Sequence, residues 1–394
     1  MKILVISEVF YPENFLINDL VKEWKKRGYQ VDVLTQYPSY PQSYVYDGYV
    51  NKGETVELWE DSKIFRFKFV EGYKDSVIKK FVNYFIFVHK GKRVLKKVLN
   101  TNKYDHIFVS QTGPLTVALP ALFAKKKYGI PTTIWTCDIW PDVVYSYGVP
   151  KVLPIKYLLN RFISFVYNSC DNILVSSKRF EDTIREYTNK QILYTPNWIE
   201  ETLEVDETIS LDRTKFNFTF TGNISKYQNL LTTVKGFVKA NIPNAIFNIF
   251  GDGSAMDELK TYVLQNKIEN VKLHGRVAKE KVLNILYQSD ILVLPLIADE
   301  VISKTEPLKL QSYLYSHKPI LGVCNGACKE IIEENGLGIC ANPSDVDDIS
   351  NCFVEIIEFK QKNNDNIKES SKKLLENRFN KEITINKINS CLIK

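Results

Sequence analysis

Residues 2–35 read KILVISEVFYPENFLINDLVKEWKKRGYQVDVLT, and this stretch decides the fold. It opens on a nearly unbroken apolar run of strand length, KILVISEV. It passes through an amphipathic segment, NDLVKEWKKRG, and returns to a second apolar strand, YQVDVLT. Strand, helix and strand joined by short connections make a βαβ unit, whose parallel strands are covered on both faces and so lose polar–apolar alternation. The plan continues with strands at His106–Ser110, Thr132–Thr136 and Asn172–Ser177. It starts afresh at Asn217–Asn223 and runs on through AIFNIFGDG, NVKLHG, DILVLPL, PILGV and GLGICAN. Between the two series, YTPNWIEETLEVDETISLDRT is polar, acidic and aperiodic. The expectation is two Rossmann-like α/β domains, residues 1–194 and 214–375, joined by a hinge at 195–213. A C-terminal helix at 376–394 is expected to pack back toward the first domain. The polar FKQKNNDNIKESSKK, Phe359–Lys373, reads as an exposed loop and helix start.

The rest of the composition narrows the class. With 394 residues, 44% hydrophobic and 25% charged, the chain is globular rather than disordered or collagenous. Its seven cysteines are scattered without CxxC pairs, which suits a reducing compartment and thiols that act as small buried hydrophobes. The apolar run before Glu8 is too short for a signal peptide, and no stretch reaches the ~18–20 apolar residues of a membrane span. The expected location is cytoplasmic, peripheral on the inner face of the cell membrane. The net charge of +6 is less telling than its placement. Lys79–Lys97, KKFVNYFIFVHKGKRVLKK, holds seven Lys/Arg, no acid, and interleaved aromatics. An anionic membrane surface, a plain solvated helix face and nucleic acid all fit such a stretch, and the membrane surface is the partner carried forward, with no nucleic acid expected.

In open parallel sheets, ligands bind beyond the carboxyl ends of strands, where loops meet helix N-termini. Five segments stand there: Tyr11-Pro12-Glu13-Asn14-Phe15, Cys137-Asp138-Ile139-Trp140-Pro141-Asp142, Gly222–Gln228, Phe250-Gly251-Asp252-Gly253-Ser254, and Glu306–Tyr313. Glycine after a strand lets backbone N–H groups approach an oxyanion, although a GDG turn is equally a tight connection. Asp138 also reads as a cap for the helix after it. Lys309 in a first helical turn opposes the helix dipole, which favours a ligand role. NPSDVDDI, ending at Ile349, reads as helix capping rather than an acidic metal motif. The four histidines stand far apart without ligand spacing, so neither a metal nor a cofactor is expected.

Taken in order, VFYPENFLINDLVKEWKKRGYQVDVLTQYPSYPQSYVYDGY, WTCDIWPD, YTPNWIE, FTGNISKYQNL, IFGDGSAMDELK, DILVLPL, KLQSYLYSHKPIL and NRFNKE resemble the retaining glycosyltransferases of family 4. The likeness covers nearly the whole chain and is greatest to the branch that builds bacterial O-antigen, colanic acid and capsule repeats, N-acetylfucosamine transferases among them. It implies the GT-B fold, two Rossmann-like domains facing across a cleft. The second domain would hold a UDP-sugar, the donor of an N-acetylated or deoxy amino sugar, and the first would offer a polyprenyl-diphosphate-linked acceptor. By resemblance, Gly222, Asn223, Lys226 and Gln228 would lie near the diphosphate, Gly251, Asp252 and Gly253 near the nucleotide, and Lys309 at the phosphates or sugar. Asp138 would act at the acceptor, with Glu13 and Asn14 where many relatives have a glycine pair.

The chain departs from the family at the donor. Relatives carry two glutamates with seven residues between them; here those positions hold Lys304 and Ser312. The usual arginine and lysine after the second domain's first strand are Asn223 and Gln228, leaving Lys226 and Lys309 as substitute cations. Retention by attack on the same face, with the leaving phosphate helping to deprotonate the acceptor, requires no nucleophile–base pair. A non-hydrolysing UDP-sugar 2-epimerase needs donor-side carboxylates that the chain lacks, and an inactive GT-B scaffold subunit is the non-enzyme alternative.

Overall fold

A computed structural model describes residues 1–146, 148–199 and 210–392, so most of the expected hinge lies outside the described residues. The chain divides into two compact units, Met1–Thr195 with Thr384–Lys394, and Pro196–Ile383.

The first unit is built on strands β1 (Lys2–Ser7), β2 (Gln30–Gln36), β3 (Glu54–Trp59), β4 (Ser62–Phe67), β5 (His106–Gln111), β6 (Thr132–Thr136), β7 (Asn172–Val175) and β8 (Ile192–Tyr194). Their order across the sheet is β3-β4-β2-β1-β5-β6-β7-β8. All pairings are parallel except β3 with β4. Ile3 to Ile6 of β1 and Ile107 to Val109 of β5 are fully buried, because helices cover both faces of the central strands. Helix Leu16–Lys26 turns Ile17, Leu20, Val21 and Trp24 onto the sheet. The C-terminal segment belongs to this unit: Trp24 Nε1 donates to Asn389 Oδ1 at 2.7 Å, and Asn172 Nδ2 to the Cys391 carbonyl at 2.8 Å.

The β3–β4 hairpin is an addition to the plan read from the sequence. Its two-residue turn, Glu60-Asp61, has positive φ at both positions (50° and 58°), the conformation normally given to Asn-Gly. The hairpin encloses Arg66, whose guanidinium bonds Glu57 and the carbonyls of Gln36 and Tyr11.

The second unit holds β9 (Phe216–Thr221), β10 (Ala245–Phe250), β11 (Val271–Gly275), β12 (Ile291–Pro295), β13 (Ile320–Val323) and β14 (Gly338–Ala341). They form one parallel sheet in the order β11-β10-β9-β12-β13-β14. Phe218, Phe237, Phe247 and Phe353 interlock at its core with ring centroids 5.1–6.0 Å apart. The segment read as a loop at Phe359–Lys373 is instead the middle of one helix, Val346–Asn377. Ile367, Ser371 and Leu374 are buried there at spacings of four and three, so a sparse apolar stripe holds a mostly polar sequence helical. Asp345 Oδ1 accepts from the Asp347 and Asp348 N–H groups at 2.9 and 3.2 Å, so the acidic cluster caps this helix.

Each sheet reverses its winding once, between β1 and β5 in the first and between β9 and β12 in the second. Ligand crevices open outside the carboxyl ends of strands at such points.

Candidate functional site

At the first reversal, Glu8 follows β1, Gln111 ends β5 and Cys137-Asp138 follows β6. Three carboxylates gather. Burial, with the Glu13 charge adding to it, pushes Glu8 up to about 7, while Lys74 and Lys80 pull it down. Burial pushes Asp138 up to about 6, although the residue retains some exposed surface. Asp138 is among the charges that raise Glu8, and burial holds Lys74 below its ordinary value. Gln111 spans the strand ends, its Nε2 donating to the carbonyls of Gly113 (2.7 Å) and Asp138 (2.9 Å), and its Oε1 is buried without a hydrogen-bond partner among the described residues. Glu8 Oε2 lies so close to Gly113 that a Cβ there would stand 2.6 Å from it, and Asn83 Nδ2 lies 3.4 Å from Glu8 Oε1.

Glu13 is differently placed. Its carboxylate accepts the backbone N–H groups of Phe10 (3.0 Å), Ser39 and Tyr40 (both 2.7 Å), tying the loop after β1 to the loop after β2. Burial raises its pKa and those three bonds oppose the rise. Asn14 beside it is exposed. Tyr11 and Tyr40, each 41% exposed, present aromatic faces here, Tyr11 stacked on Trp59 and Tyr40 under Lys74. Faces of that kind suit the apolar sides of a sugar ring.

At the second reversal the chemistry changes. Gly222, Gly251 and Gly253 have φ of 145°, 144° and 156°, and a Cβ on Gly251 would stand 1.8 Å from the Gly222 carbonyl. The two loops are laced together: Gly222 N donates to Phe250 O, Gly251 N to Gly275 O, and Ile224 N to Asp252 O, at 2.7–2.9 Å. Gly253 N donates to Asp252 Oδ1 at 2.8 Å. The Gly222 and Gly251 N–H groups are therefore held by neighbouring backbone carbonyls, and that of Gly253 by the exposed Asp252 carboxylate. What these glycines supply is close packing of two loops, rather than the oxyanion donors expected of them.

One cation at this end is Lys309, in the first turn of helix Leu308–Ser316. Its Nζ stands 4.1 Å from the Phe220 ring centroid, bonds Gln228 Oε1, and would lie 3.2 Å from a Cβ on Gly222. Burial lowers it to about 7, although the residue retains some exposed surface. Lys309, Gly222 and Ser312 line one cavity of about 210 Å³ with Thr221, Val282, Leu308 and a second lysine, Lys279, which the sequence reading does not single out. Ser312 Oγ donates to the Leu308 carbonyl of its own helix at 3.3 Å. Tyr313, buried, donates to Val293 O at 3.0 Å and accepts from Thr221 N at 3.2 Å, which fixes the end of β9 beside β12.

The structure thus brings together Gly222, Asn223, Gln228, Gly251, Asp252, Gly253, Lys309 and Ser312. Lys226 is exposed and lines a different, smaller cavity with Ser225, Asn229 and Glu258. Lys304, at the first family glutamate position, pairs with Glu300 at 3.6 Å. Residues that sequence reading likewise does not single out are Glu8 and Gln111, while Tyr313 closes the candidate segment Glu306–Tyr313. Glu8 is hidden as the polar end of an apolar run; its position one residue past β1 is the available signal. Glu306, which opens that candidate segment, is structural: buried, it pairs with Arg378 at 3.1 Å and joins the loop before Lys309 to the end of the long helix.

Residues 15–203 match the family model described as Glycosyltransferase Family 4, and residues 204–377 the one described as Glycosyl transferases group 1. A probable glycosyltransferase, WbjE of Pseudomonas aeruginosa, is 23% identical over 310 residues, 75% of this chain and 76% of that one. Among solved structures, HepE of Anabaena in complex with UDP and glucose superposes with a TM-score of 0.70 at 14% identity, over 100% of this chain and 99% of its own. The lipopolysaccharide outer core galactosyltransferase WaaB, in its apo form, does so with a TM-score of 0.63 at 16% identity, over 100% and 99%. These likenesses are of fold, and the fold is GT-B.

Proposed function

The chain belongs to the glycosyltransferases of family 4 and group 1, and on that premise we propose that it moves a sugar from a UDP-sugar to a polyprenyl-diphosphate-linked saccharide of bacterial surface polysaccharide, with retention at the anomeric carbon. The sugar is of the N-acetylated or deoxy amino class. The observation that carries this reading is Lys309, a largely desolvated cation at the carboxyl end of β9 that lines a cavity of about 210 Å³. An ammonium buried without a carboxylate beside it is unfavourable until an anion arrives. The leaving diphosphate is such an anion, and Lys309 with the N-terminal end of its helix would stabilise the charge that develops there. HepE, in complex with UDP and glucose, supports the choice of donor, and WaaB, a lipopolysaccharide enzyme, the choice of surface saccharide.

On the same reading the first unit receives the acceptor. Asp138 and Glu8 orient its hydroxyl, the Tyr11 and Tyr40 faces hold its ring, and Glu13 acts by fixing the loops on which they stand. Asn14, exposed beside them, contacts the acceptor's rim. The basic helix containing Lys79–Lys97 keeps this unit on the anionic inner face of the cell membrane, where the polyprenyl chain lies.

The test is to incubate the protein with UDP-sugars, with and without a lipid-diphosphate saccharide, following UDP release and the anomeric configuration of the product. Acceptor-dependent release with retention is expected. An altered sugar formed without acceptor would replace this reading with a 2-epimerase, and neither reaction would replace it with a scaffold.

A further inference from the structure

Two helices of the first unit present apolar side chains to solvent. Helix Val77–Thr101 buries Gly91, Val94, Leu95 and Val98 in its second half, yet its first half leaves Ile78 77% and Phe85 71% exposed, with Phe81 and Val82 on the same stripe. Helix Leu153–Ser169 leaves Leu153 83%, Leu158 66% and Phe165 55% exposed, with Tyr157 between them. The spacings 78, 81, 82, 85 and 153, 157, 158, 165 each follow one helical face. The helices are linked beneath the stripes by rings: buried Tyr84 of the first and Phe162 of the second flank buried Trp140, with centroids 6.3 and 6.2 Å from it, and Phe81 packs on Tyr84. Apolar surface of this extent marks an interaction site.

We propose that these two helices form a membrane-docking platform, whose apolar stripes enter the headgroup–acyl boundary of an anionic phospholipid bilayer. Charge identifies the occupant. Neither helix contains a single Asp or Glu, and exposed Lys151, Lys156 and Arg161 stand beside the second stripe, while exposed Lys79 beside the first pairs with Asp75 at 3.2 Å. A second copy of the chain placed symmetrically on this face would set those cations against their own counterparts, whereas lipid phosphates would neutralise them. No helix among the described residues is long and apolar enough to cross a membrane, so the platform lies in the interface.

This moves the lipid contact along the chain. In the basic second half of the first helix, Arg93 and Lys97 pair with Glu54, and Lys96 lies over the Phe123 ring. Those cations are partly occupied, and the apolar half that precedes them, with a helix some seventy residues further on, makes the insertion face. The proposal rests on the reading that the acceptor is lipid-borne, but it is measured without donor or acceptor, so either fails alone.

The experiment is flotation of the full chain with vesicles of phosphatidylcholine containing about a third phosphatidylglycerol, beside pure phosphatidylcholine. Binding to the anionic vesicles is expected, and replacing Ile78, Phe85, Leu153 and Leu158 together by Ser should weaken it at least about tenfold. A Tyr157→Trp variant, changed at one exposed site only, should gain over the native chain an emission that shifts to the blue on binding and is quenched by brominated lipid. Undiminished binding of the quadruple variant, or added emission from Tyr157→Trp that vesicles leave unchanged, overturns the proposal. So does a dimer of the native chain that the four substitutions dissolve while no vesicle binds.

Discussion

The two sheets of this protein share a plan and differ in what they place at its reversal point. Beyond β1 and β5 stand Glu8, Glu13 and Asp138, all three pushed toward neutrality by burial. Beyond β9 and β12 stand Gly222, Gly251, Gly253 and Lys309, a cation also pushed toward neutrality by burial. One architecture has been fitted with opposite charges. A recess of carboxylates suits hydroxyl groups, which donate to them; a recess of glycine and lysine suits a phosphate. On the proposed reading this division separates acceptor from donor, and it gives the two ends experimentally distinct signatures.

The largest effect is expected from Lys309→Ala. Losing one cation that meets developing charge in a dry site costs about 3–4 kcal/mol, or ~10²–10³ in turnover. Because burial holds Lys309 near 7, UDP affinity of the native chain should fall as pH rises above about 7, with proton uptake on binding. The alanine variant should lose that pH dependence. Calorimetry in buffers of different ionisation enthalpy reads the proton uptake directly. Near-normal turnover of the variant would remove Lys309 from the donor site and erase the comparison.

Asp138→Asn should act on the other side alone. It keeps shape and hydrogen-bonding capacity while removing the charge, so acceptor-dependent transfer should fall about 10–100-fold while UDP affinity stays unchanged. Equal loss of both, or loss of thermal stability instead, would show that the two ends are not separable and that Asp138 is structural.

The legibility of the sequence follows the same divide. β1, its helix and β2 are legible because a strand covered on both faces is an apolar run and its helix repeats at 3.6 residues. The glycine turns and Asp138 are legible because they follow such runs. The β3–β4 hairpin is not: its edge strand is half polar, and its turn is Glu-Asp rather than a glycine pair. The long helix reads as a loop at Phe359–Lys373 because only Ile367, Ser371 and Leu374 hold that stretch down. Lys226 and Lys309 look alike in sequence, and only the packing of Phe220 and Gln228 around one of them distinguishes the two. Glu13 reads as an acceptor contact because the three N–H groups that occupy it come from two loops far apart in sequence.

The smallest effect tests whether the carboxylate recess stores unfavourable charge. Glu8 has its pKa raised in the folded chain, from an ordinary 4.5 to about 7. Between those values the folded state holds a proton that the unfolded state has released, so folding stability falls as pH rises through that window. Above about 7 the folded protein must carry a buried carboxylate beside Glu13 and Asp138. Glu8→Gln keeps the shape and the bond with Asn83 while removing the charge, so it should raise the thermal transition at alkaline pH and change it little below about 4.5. The expected gain is about 1–2 kcal/mol, discounted for the part of Glu8 that water reaches, or a few degrees in Tm. A Gln variant less stable than the native chain at alkaline pH would mean that Lys74 and Lys80 hold Glu8 charged. The first recess would then be a network of ion pairs, and the contrast with Lys309 would rest on Asp138 alone.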